Sequence, residues 1–131
     1  MIALISLPTV MFGGFSLLRL LTAGGKLNDF QAGYFRAGHA HAGVLLVLSL
    51  VFFVFLERTS SAESTRWLLG LGLLAGVLLQ SGGFFLHMLV GEEGTSSAGT
   101  WVTRAGAVLI AAALVALGVG LLRRQPRAET G

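Results

Sequence analysis

Two histidines and an arginine stand close together in Arg36-Ala37-Gly38-His39-Ala40-His41-Ala42-Gly43, at the head of an apolar run that continues from Val44 to Leu56. The third histidine of the chain, His87, lies near the end of another apolar run. An imidazole can carry a proton near neutral pH or ligate a transition metal through its unprotonated nitrogen. Ionisable groups at membrane depth are costly, and they face a protein interior or a cavity and mark functional sites. On an α-helix, positions two apart point ~200° from one another and differ in height by only ~3 Å. His39 and His41 therefore address two different neighbourhoods. They do not chelate one ion from an ordinary helix, for which three- or four-residue spacing is needed. Gly38, Ala40, Ala42 and Gly43 leave almost no side-chain bulk beside them, so a flat macrocycle could approach this helix.

The elements that must position these residues are membrane helices. The chain has 131 residues, 54% hydrophobic and 11% charged, with a mean hydropathy of +0.82. That composition excludes a soluble enzyme and describes one small integral membrane domain over residues 1–131. There is no cysteine, which excludes a disulfide framework, a thiolate metal site and covalent heme attachment. The basic residues sit at segment ends and in loops, where membrane topology accounts for them, so nucleic acid is set aside as a partner.

Four spans are expected, at about 2–21, 31–56, 67–90 and 101–122, with a basic tail at 123–131. The first lacks a basic leader region and a clear cleavage motif and is read as retained. Gly13, Gly14 and Ser16 within it suit close helix packing. In the third, Gly72, Gly76, Gln80, Gly83 and His87 recur at spacings of four, four, three and four, which puts them on one helical face. With four spans, Arg58, Arg66, Arg123, Arg124 and Arg127 share a side with both termini. The positive-inside rule makes that side cytoplasmic, and the bias toward Ala, Gly, Leu and Arg suggests a bacterial inner membrane.

Connectivity then collects Arg36, His39, His41, Gln80, His87 and Arg104 in the same half of the membrane. Imidazoles, glycine-lined helix faces at Gly38, Gly43 and Gly83, and arginines at the aqueous boundary are what a b-type heme requires: iron ligands, an apolar slot and cations for the propionates. Three other chemistries use the same residues. The histidines could be neutral interhelical contacts. His87 with one histidine of the second span and Glu92 or Glu93 could hold Zn²⁺ or Cu²⁺. His39, His41 and Gln80 could line a small channel or proton pathway.

The motif Gly38-His39-Ala40-His41-Ala42-Gly43-Val44-Leu45 resembles the histidine-x-histidine helix of heme-copper oxidase catalytic subunits, especially cbb-type oxidases and nitric oxide reductases. The resemblance covers about ten residues. It implies that His39 and His41 ligate two different hemes on opposite sides of the helix. It further implies that four helices form one of three arcs, which a homotrimer would complete. His87 has no counterpart in the motif. A histidine pair and a tyrosine-bearing helix like those of the family's copper centre are missing, so oxygen or nitric oxide reduction is not carried over.

The expectation from sequence is an all-α, integral membrane four-helix bundle assembling as a symmetric homo-oligomer, with a trimer favoured. It would bind heme b through His39 and His41, with His87 as a third ligand or supporting partner. Gly72, Gly76 and Gly83 would line the slot, and Arg36 and Arg104 would meet the propionates. Electron exchange with a quinone or a redox protein, or heme or gas sensing, would follow.

Overall fold

The computed structural model describes residues 2–22 and 27–123. The link at 23–26 and the tail at 124–131, with Lys26, Arg124 and Arg127, lie outside the described residues. The chain is all-α, with four helices: α1 (Ile2–Thr22), α2 (Asp29–Leu56), α3 (Glu63–Val90) and α4 (Ala98–Arg123). Of these, α2, α3 and α4 are long and apolar enough to cross a membrane.

Three helices start earlier than apolarity alone suggests, because polar residues extend them beyond the apolar run. Helix α2 begins at Asp29 instead of Gln31 because Asn28 and Gln31 form a reciprocal cap. The Gln31 N–H donates to Asn28 Oδ1 at 2.8 Å and the Asn28 N–H to Gln31 Oε1 at 3.3 Å, satisfying two otherwise orphaned donors. Helix α3 begins at Glu63 instead of Trp67, with an acidic residue in its first turn, where the helix dipole favours negative charge. At α4, the Gly99 N–H donates to Ser97 Oγ and the Ser97 N–H to Thr100 Oγ1. That moves its start from Trp101 to Ala98.

The helices form an open row, not a closed bundle. Among the described residues α1 lies against α2 alone, α2 against α3, and α3 against α4, which also reaches α2 at a few positions. The α3–α4 seam is the most intimate. Gly76 faces Gly106 and Gly83 faces Gly99, and a Cβ at Gly83 would come within 2.7 Å of the Gly99 carbonyl oxygen. Small residues allow such backbone approach, which drives helix association where lipid is as apolar as the side chains. Away from the histidines, packing of apolar side chains takes over. Leu46, Phe52 and Leu56 of α2 meet Leu73 and Val77 of α3 and Ile110, Ala113 and Leu117 of α4. The buried Ser49 hydroxyl there donates to the Leu45 carbonyl at 2.8 Å, so no free donor faces hydrocarbon.

Candidate functional site

The three histidines do not meet. Each occupies a different seam of the row, and among the described residues no three His, Asp or Glu side chains form a group able to hold a metal ion. The alternative site of His87, one histidine of α2 and Glu92 or Glu93 is not gathered among the described residues, and both glutamates are exposed.

His39 turns toward α1. Its ring lies in the notch left by Gly13 and Gly14, where a Cβ on Gly14 would come within 2.8 Å of Nε2. The small-residue surface expected on the first helix thus receives an imidazole. His41, as the ~200° offset requires, turns the other way toward α3. Its ring packs against Phe84 with centroids 4.6 Å apart and an interplanar angle of 31°. Its Nδ1 lies 2.8 Å from the Ala37 carbonyl oxygen. A carbonyl only accepts, so Nδ1 carries the hydrogen and the lone pair of the neutral ring resides on Nε2. Donation of one ring N–H to a backbone carbonyl is the usual way a metal-ligating histidine is oriented and made more basic. His41 remains half-buried.

His87 is enclosed, with 3% of its surface exposed. Its Nδ1 lies 2.6 Å from Ser97 Oγ and 3.3 Å from Thr100 Oγ1. Each hydroxyl accepts a backbone N–H in the α4 cap and still has a hydrogen of its own to give. Nδ1 is therefore served in either tautomer. Tyr34 packs on the ring at 4.4 Å and Phe30 at 5.6 Å between centroids. Gly91 leaves the ring its space, since a Cβ there would come within 2.6 Å of the imidazole Cε1. The residue ties the end of α3 to the start of α4 and to the first turns of α2.

The remaining expected site residues divide between seams and surfaces. Gly83 and Gly76 are covered by α4, while Gly72 has open space before it. The Gln80 backbone lies against Gly106, and its carbonyl accepts from Thr103 Oγ1 at 3.4 Å. Gly38 is buried against Phe84 and Phe85, and a Cβ at Gly43 would lie 3.8 Å from Val10 of α1. Arg36 and Arg104 are both exposed, and the Arg104 guanidinium sits 4.9 Å from the centre of the Trp101 ring.

The reading from sequence overlooked the partners of His87 and the second half of the glycine seam. A signal for the seam existed: Gly76 and Gly83 are seven apart, as are Gly99 and Gly106, so two antiparallel helices can match them pairwise. It also overlooked Ser81, whose buried hydroxyl has no hydrogen-bond partner among the described residues. No protein-family model matches the chain, and the comparisons found no similar curated protein and no similar solved structure.

Proposed function

We propose that this chain is a heme b-binding membrane protein that uses His41 as the iron ligand and serves electron transfer or heme or gas sensing. The observation that supports this is the bond between His41 Nδ1 and the Ala37 carbonyl, which leaves Nε2 as a free lone pair on a half-buried ring. The donor chemistry suits a heme, since one imidazole suffices to hold the iron. Phe84, lying along one side of the ring, restricts its rotation.

The glycine faces suit the group less well, because α4 fills the space before Gly76 and Gly83. A macrocycle would therefore use the outer side of His41 and not an internal slot. When bound, heme supplies reversible one-electron chemistry; the chain supplies the oriented imidazole and apolar surroundings. In this reading α1 is a fourth span, the termini are cytoplasmic in a bacterial inner membrane, and a second copy covers the open face. A homotrimer is the favoured assembly. His39 and His87 serve mainly as contacts between helices.

The test is the absorption spectrum of protein purified from heme-sufficient cells. A Soret band is expected in the wild type and in His87→Ala, and none in His41→Ala. A wild type without the band, and without a shift on adding heme, would sink the proposal. Stoichiometric zinc or copper without iron would replace it with the metal-site reading.

A further inference from the structure

The outward face of α4 carries one charge among apolar residues. Trp101, Ala105, Val108, Ala112 and Val115 recur at three- and four-residue spacing on the side away from α3, and all are exposed. Arg104 lies in the same stripe and is also exposed. Its depth follows from the neighbouring contact. Thr103 Oγ1 bonds the Gln80 carbonyl, which sets the Arg104 backbone level with Gln80, and six residues, about 9 Å of helix, separate it from the start of α4 at Ala98. The polar loop with Glu92 and Glu93 lies beyond that end. Arg36 stands on α2, seven residues from the start of that helix, and is not part of this stripe.

The Arg104 side chain leans back one turn toward the helix start and lies over Trp101. A cation over an indole face satisfies part of its charge. It leaves the N–H groups of the guanidinium without an acceptor, since none is found among the described residues. A second copy in the same orientation brings none of the described carboxylates to this depth: Asp29, Glu57, Glu63, Glu92 and Glu93 all stand at helix ends or in loops. The acceptor that the surroundings do offer is a phosphodiester, whose oxygens match the planar fork of arginine.

We propose that α4 binds an anionic phospholipid, its phosphate on Arg104 beside Trp101 and one acyl chain along the low relief of Ala105, Val108, Ala112 and Val115. The proposal rests on the membrane location of the chain and not on heme. Its readout is lipid mass, so its failure and that of the heme reading are separately visible.

The experiment is native mass spectrometry of the full chain, delipidated in mild detergent and titrated with phosphatidylglycerol or phosphatidylcholine of identical acyl chains. The wild type should retain phosphatidylglycerol about fivefold better, the effect of one basic residue near anionic lipid. Arg104→Gln should abolish the preference and Arg36→Gln should keep it. Equal retention of both lipids by the wild type, or a preserved preference in Arg104→Gln, overturns the proposal. So does a change in oligomer mass without a change in lipid, which would mean that a second copy covers the stripe. A measurement on the wild type guards against a variant that does not fold. Phosphatidylglycerol with a photoreactive acyl chain should label α4 between Ala105 and Val115, and labelling spread evenly over all helices refutes the site.

Discussion

His41 and His87 sit on adjacent helices, and their surroundings are opposite in kind. His41 has one ring nitrogen committed to a carbonyl that can only accept, and its ring is half-buried. His87 has one ring nitrogen between two hydroxyls that serve either tautomer, and its ring is walled in by Tyr34, Phe30 and two helix ends. The first arrangement leaves a defined lone pair on a half-buried ring; the second uses the imidazole to join elements. A histidine within a membrane helix is thus not assigned by its presence. What its neighbours accept or donate decides which ring nitrogen is left free.

The contrast can be broken most sharply at His41. The His41→Ala variant should lose heme absorbance entirely while keeping its helicity by circular dichroism, because the residue contributes a ring contact but ties no helix ends together. Next in size is Gly99→Val, which forces side-chain bulk against the Gly83 carbonyl and the His87 backbone. Overpacking of this kind costs about 3 kcal/mol or more, visible as a loss of resistance to denaturation in detergent. His87→Ala should cost about 2–4 kcal/mol by the same measurement, through a cavity and two hydroxyls left without their partner, and heme stoichiometry should not change. If His87→Ala instead removed the Soret band from a folded protein, the two assignments would have to be exchanged. The smallest effect is expected for Ser97→Ala, about 1 kcal/mol from the lost cap of α4. It should not exceed the cost of His87→Ala, since it removes one of the two hydroxyls at Nδ1.

The two ends of the row are packed differently. Toward the α2–α3 loop, the row is held by apolar side chains from α2, α3 and α4, Phe52 among them. Toward the opposite end it is held by backbone approach at Gly83–Gly99 and by rings, with Phe35 edge-on to Phe85 at 5.3 Å and Tyr34 beside Phe84 at 6.2 Å. Aromatic pairs of this geometry prefer defined orientations, so the histidine half is ordered without a close-packed aliphatic core.

Much of the fold was legible in the residues. Apolar runs of membrane length and the polar links between them prescribe the helices and their order, because a backbone in hydrocarbon must satisfy its own hydrogen bonds. The opposed directions of His39 and His41 follow from helical pitch alone. Helix starts were legible only to within a few residues, because caps such as Asn28 with Gln31 and Ser97 with Thr100 extend a helix beyond its apolar stretch.

What only the tertiary structure decided is which seam each face meets. Helical spacing puts Gly76, Gly83 and His87 on one face but does not say whether a cofactor or a helix covers it. The α4 backbone covers it, because the matched pair Gly99 and Gly106 lets it come closer than any side chain would permit. Likewise, the sequence brings His41 and His87 to one half of the membrane. Their separation into a half-exposed imidazole bonded to Ala37 and a buried one bonded to Ser97 arises from the packing of α2 and α4 on either flank of α3.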